Sequence, residues 1–145
     1  MIKVLISLLI MISVVRAETK FAKPKPAMDN PRQLIFAIPT SQSKEVNRII
    51  STVNNVIKFY GVENTEVVIV VYGQGLKVLL KKGDVDIRKR IEALMTYDVE
   101  FVACGNTMRT LKIDKKDLLN DISFATAGIV EIIERKLQGF SYTQP

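Results

Sequence analysis

Apolar residues along this chain follow two alternating patterns. Leu34-Ile35-Phe36-Ala37-Ile38 and Val67-Val68-Ile69-Val70-Val71 are unbroken apolar runs. Such runs predict strands buried on both faces, because a strand with one wet face alternates apolar with polar residues. Pro39 stops the first run, and Tyr72-Gly73 closes the second. Val99 to Cys104 predicts a third strand and Ser123-Phe124-Ala125 a weaker fourth. Phe140 and Tyr142 alternate with polar residues in a short last strand.

Between these runs the period lengthens to that of a helix. Val46, Ile49, Ile50, Val53, Ile57 and Tyr60 make one apolar face. Thr40, Ser41 and Ser43 offer caps at its start, and Gly61 offers a left-handed cap at its end. Leu76 to Lys81 predicts a short helix, and Gly83-Asp84 a turn. Ile87, Ile91, Leu94 and Met95 form a second amphipathic stripe. Asp114 can cap a short helix carrying Leu118 and Leu119. Ile129, Ile132, Ile133 and Leu137 mark the last helix, closed by Gly139. Strict alternation of strand and helix predicts an α/β domain, a mostly parallel sheet with helices on both faces.

The first residues follow neither pattern. Lys3 precedes the apolar run Val4 to Val15, and Val15-Arg16-Ala17 offers small or aliphatic residues before a cut at Glu18. That is the pattern of a secretory signal peptide, and the run is short for a spanning helix, which needs about 20 residues. We therefore expect Met1 to Ala17 to be a signal segment, the mature chain to be exported to the periplasm, and no stable membrane insertion after cleavage. Glu18 to Pro31 carries Pro24, Pro26 and Pro31 and reads as a flexible or surface-draped arm. The domain is expected over 32–145.

Composition narrows the chemistry. The 145 residues contain no His and one Cys. This excludes a Ser-His-Asp triad, a Cys-His pair, an imidazole metal site, a thiolate zinc site and an internal disulfide. No cofactor fingerprint and no metal site are expected. The net charge is +6, and removal of Lys3 and Arg16 leaves 19 basic against 15 acidic residues. The excess does not form a basic stripe with interleaved aromatics, so nucleic acid is not an expected partner.

Two predicted strand ends carry unusual residues, and in open parallel sheets ligands gather beyond such ends. The first is Tyr72-Gly73-Gln74-Gly75-Leu76-Lys77. Gly73 and Gly75 can aim free amides at an anion, and Lys77 can add a charge. The same glycines also serve a plain tight turn, with Lys77 solvated. The second is Ala103-Cys104-Gly105-Asn106-Thr107-Met108. A thiol at a strand end faces the crevice and the amides of the next segment. A helix start or a nearby cation, with Lys77 as the candidate, would lower its pKa. Cys104 can equally be a small buried hydrophobe.

These two strand ends resemble those of the DsrE/DsrF-like family, in particular its small exported members. The tail is similar as well, with Ala127-Gly128-Ile129-Val130-Glu131-Ile132-Ile133-Glu134-Arg135 followed by Gln138-Gly139-Phe140-Ser141-Tyr142. The resemblance spans about Arg32 to Pro145. It implies a three-layer α/β/α domain with a five-stranded sheet, assembled as trimers or hexamers with the cysteine loop near subunit boundaries. It also implies a persulfide-type sulfur carrier, a sulfurtransferase component in which Cys104 holds the sulfur and passes it between donor and acceptor proteins. Gly105, Asn106 and Thr107, with Gly73 and Gly75, would supply stabilising amides. The alternative is a non-catalytic oligomeric module binding a small anion, an organic ligand or a protein partner.

Overall fold

The computed structural model describes residues 18–145. The expected signal segment lies outside the described residues. Five strands carry the fold: β1 (Arg32–Ile38), β2 (Thr65–Val71), β3 (Glu100–Cys104), β4 (Ser123–Ala125) and β5 (Ser141–Tyr142). They lie in the order β4-β3-β2-β1-β5, and every neighbouring pair is parallel. The expectation of a mostly parallel sheet is met by an all-parallel one. The helices are α1 (Ser43–Tyr60), α2 (Val85–Met95), α3 (Gly105–Leu111) and α4 (Gly128–Leu137).

The sheet divides the core in two, as alternation along each strand requires. Phe36, Ile38, Ile69, Val71, Phe101 and Ala103 point to one side, where α1 and α2 cover them. Here α1 buries Val46, Ile49, Ile50, Val53 and Ile57, the stripe its sequence period predicts. Each such side chain contributes about 1.5–3 kcal/mol on leaving water. Ile35, Ala37, Val68, Val70 and Val102 point to the other side, with Ile132 of α4 and Phe140 against them. Arg90 ties α2 to α1 through Ser51 Oγ at 2.8 Å and Asn47.

Several local expectations are corrected. The N-cap of α1 is Gln42, without a side-chain bond; Thr40 Oγ1 instead accepts from the Gln42 amide at 3.2 Å. Gly61 has φ 93° and ψ 145°, a positive φ but not the left-handed helical cap. The helix expected over Leu76 to Lys81 is a 3-10 segment, Gly73–Leu79. The segment after Asp114 spans only Lys115–Asp117, so Leu118 and Leu119 follow it rather than ride on it. They are held by pairing, Leu118 bridging Leu80 and the Leu119 amide donating to the Leu79 carbonyl at 2.8 Å.

The stripe of α4 differs most. Ile132 is buried, but Ile129, Val130, Ile133 and Leu137 are about half exposed or more. Only one side of α4 meets the sheet, and most of the apolar stripe faces outward. Before β1, the arm lies against the end of α1, where the Phe21 ring sits 5.6 Å from Phe59 and 5.8 Å from Tyr60.

Candidate functional site

The parallel register brings the C-terminal ends of four strands to one edge of the sheet. Val71 pairs with Ala103, and Cys104 with Ala125. The chain leaves β2 at Tyr72, β3 at Cys104 and β4 at Ala125, all side by side. Cys104 ends β3 and is the N-cap residue of α3, with φ −75° and ψ 113°. Val102, two residues earlier, faces α4. Strand alternation therefore turns Cys104 the same way.

There the Gly128 amide, at the start of α4, donates to Cys104 Sγ at 3.2 Å. Gly128 permits this approach because it has no side chain. A Cβ at that position would lie 3.2 Å from Tyr72 Cβ, 3.2 Å from Val70 Cγ1 and 3.3 Å from Cys104 Cβ. Thr107, in the first turn of α3, completes the surround. Its hydroxyl accepts from the Gly73 amide at 3.0 Å and lies near enough to the Cys104 sulfur to favour its thiolate. One hydroxyl thus links the loop after β2 to the thiol at the end of β3.

The thiol is recessed, with Cys104 only 5% exposed. Burial pushes its pKa up. The Thr107 hydroxyl and the amides of Thr107, Gly128 and Asn106 favour the thiolate and outweigh burial, so the pKa lies below its ordinary value. Hydrogen bonds, rather than a neighbouring cation, make this thiol acidic. Lys77 is exposed in the 3-10 segment and is not among the groups that shift Cys104.

The other expected site residues divide. Gly73, Gly105, Asn106 and Thr107 gather around Cys104, whereas Gly75 and Lys77 do other work. Gly75 is buried, its amide donates to the Tyr72 carbonyl at 3.1 Å, and a Cβ there would fall 2.0 Å from the Ile38 carbonyl oxygen. It is a packing glycine. With the Gly73 amide given to Thr107, neither glycine has an amide left for an external anion, which corrects the expected anion cradle. The Asn106 amide donates to the Thr126 carbonyl at 3.0 Å as well as acting on the sulfur, and its side chain accepts from Arg109. A Cβ on Gly105 would meet the Ala125 carbonyl at 3.1 Å, so glycine lets α3 start against β4.

Gly128 is the residue of the candidate site that sequence reasoning did not single out. Its signal was a glycine at the head of an apolar helix stripe, which marks close backbone approach. Among the described residues, no group of three or more His, Cys, Asp or Glu gathers where a metal ion could sit, and no helix is long and apolar enough to cross a membrane.

This parallel α/β fold has known counterparts. The family model of the DsrE/DsrF-like family matches residues 33–145, and the chain belongs to that family. Among solved structures, the protein of unknown function MTH1491 from Methanobacterium thermoautotrophicum is 27% identical with a TM-score of 0.72, over 77% of this chain and 97% of that one. The YchN protein from E. coli is 14% identical with a TM-score of 0.63, over 76% of this chain and 96% of that one, a likeness of fold alone. No curated protein matches the chain.

Proposed function

We propose that this chain is an exported, periplasmic sulfur carrier in which Cys104 holds the sulfur as a persulfide. The observation that carries the reading is the set of donors aimed at Sγ, the Gly128 amide at 3.2 Å and the Thr107 hydroxyl, which keep the thiol acidic despite burial. In the forward step the Cys104 thiolate attacks the outer sulfur of a donor persulfide, R–S–SH. A new S–S bond forms at Cys104 and the donor's S–S bond breaks. The donor leaves as a thiolate with the bonding electron pair, and the proton stays on the transferred sulfur. An acceptor thiolate then attacks that outer sulfur, and Cys104 returns as a thiolate. The donors that stabilise the starting anion stabilise it again as the leaving group.

Intact-protein mass spectrometry after exposure to polysulfide tests this, with a gain of one sulfur expected on wild type and none on Cys104→Ser. Iodoacetamide is expected to label Cys104 faster than a free peptide thiol near neutral pH. Labelling only on unfolding would overturn the carrier.

The low exposure of Cys104 favours a second reading, a binding module in which the thiol is packing. Under it, Cys104→Ser keeps assembly and partner binding, and no sulfur adduct appears. Both readings include a homo-oligomer, a trimer or hexamer, in which the outward apolar stripe of α4 meets another copy.

A further inference from the structure

Three neighbouring grooves share their walls on the side of α2 and α3. Lys81, Arg88 and Lys89 border one. Lys81, Lys82, Lys112 and Lys116 border the next. Arg109, Lys112 and Lys115 border the third, which holds about 540 Å³. Lys81 separates the first from the second and Lys112 the second from the third, so the surface is continuous. The acids along it are Glu92, Asp114 and Asp117. Asp114 and Asp117 are engaged in the capping box of the Lys115–Asp117 segment, and Asp114 also pairs with Lys116 at 3.6 Å.

Eight cations against three acids leave a local excess of five. The residues from Glu18 onward carry 19 Lys and Arg against 15 Asp and Glu, an excess of four. The remainder is thus slightly acidic, and the whole positive excess sits on this one side. We infer that this face docks an acidic protein surface, that of the partner with which Cys104 exchanges sulfur. The partner's role rests on the carrier reading above; the binding surface does not.

The composition of the face selects the occupant. Six of its eight cations are Lys, point charges on flexible stems, with few of the Arg forks that grip phosphate bidentately. Its floor is apolar, with Ile113 shared by two grooves, Met108 in one and Leu80 in the other. The nearby Phe124 ring is covered by the Lys115 ammonium at 4.4 Å, so it is no open platform for a base. An apolar centre inside a charged rim is the anatomy of a protein interface. Gly105 lies in the wall of the largest groove and follows Cys104 directly, so a docked partner meets the thiol loop from its α3 side, the thiol itself turning toward α4. Long-range steering speeds encounter without locking the complex, which suits a carrier that releases its partner after each exchange.

The test uses the chain with Cys104→Ser and fluorescence anisotropy of a short labelled Glu/Leu peptide. A Lys/Leu peptide of equal length, an oligo-dT of similar length and phosphatidylglycerol vesicles are the comparisons. The acidic peptide is expected to bind tightest, to weaken steeply as salt rises, and to lose at least about tenfold in affinity in Lys112→Glu/Lys115→Glu. Lys112→Gln/Lys115→Gln, folded by circular dichroism, is expected to fall between. Equal binding of both peptides, indifference to salt, or indifference to both double variants would overturn the docking surface. Tighter binding of the oligonucleotide or the vesicles would overturn the assignment to a protein. Because this variant has no thiol, failure of persulfide formation in the wild type would remove the carrier and leave the docking result standing.

Discussion

The Cys104 sulfur illustrates how a small thiol is made acidic without a formal charge beside it. Burial works against ionisation, and amides and a hydroxyl arranged by the starts of α3 and α4 work for it. Thr107 has the largest favourable share and also accepts from the Gly73 amide. Thr107→Val keeps the shape but removes both the acceptor for the Gly73 amide and the hydroxyl that favours the thiolate. Its pH profile of iodoacetamide labelling is expected to shift upward, with labelling at neutral pH slowed several-fold; Thr107→Ser should stay close to wild type. The same depressed pKa links to stability. A group whose pKa falls on folding adds stability that is fully present above its unfolded pKa and is lost as pH falls through its folded pKa. Urea titrations should therefore show wild type gaining on Cys104→Ser as pH rises from the folded value toward the ordinary thiol value. No further gain is expected above it. A constant difference across that range would mean that the thiol titrates normally.

Among the elements, two glycines hold the site by allowing backbone to approach where a side chain would block it. Gly75 packs the turn after β2 against the end of β1, where an added Cβ would meet the Ile38 carbonyl at 2.0 Å. Backbone cannot yield cheaply, so Gly75→Ala is expected to cost about 3 kcal/mol or more. Gly128→Ala meets only side-chain atoms, at 3.2–3.3 Å, and is expected to cost roughly 1–2 kcal/mol. It should also draw the amide away from Sγ and slow labelling, whereas Gly75→Ala should lower stability first; urea denaturation with labelling separates the two. This difference marks what the sequence made legible. Unbroken apolar runs revealed β1 and β2, a mostly apolar run revealed β3, and the 3.6-residue period revealed α1 and α2, because burial imposes those patterns locally. Cys104, Gly105, Asn106 and Thr107 were legible because they are consecutive at a strand end. Gly128 was not, because its bond to Cys104 spans 24 residues and depends on where α4 lands. The fates of Gly73, Gly75 and Lys77 were hidden for the same reason. Spacing shows that an amide or an ammonium is near a turn, but not which partner has already taken it.

At the level of the whole molecule, the two sides of the sheet are unequally covered. α1 and α2 bury one side, whereas α4 meets the other chiefly through Gly128 and Ile132. That leaves Ile129, Val130, Ile133 and Leu137 in a row on the outer side of α4, with Leu137 77% exposed. Scattered exposed apolar residues are ordinary, but a contiguous stripe along one helix is what a subunit contact buries. The basic face lies on the α2 and α3 side, so an assembly through α4 would leave it free for another partner. Ile133→Lys/Leu137→Lys tests this cleanly. Both changes place cations in the second half of α4, where the helix dipole favours them, so the folded subunit should be as stable as before. Sedimentation velocity is expected to show wild type as a trimer or hexamer and the double variant as a monomer with unchanged circular dichroism. A wild-type monomer across the accessible concentration range would overturn the assembly. An unchanged oligomer in the double variant would move the contact to another surface. Labelling of Cys104 in the dissociated variant then reads whether the thiol, bonded to the first residue of that same helix, depends on the neighbouring copy. Its rate should change on dissociation if the contact holds the start of α4 against Sγ, and stay the same if the subunit alone sets that geometry.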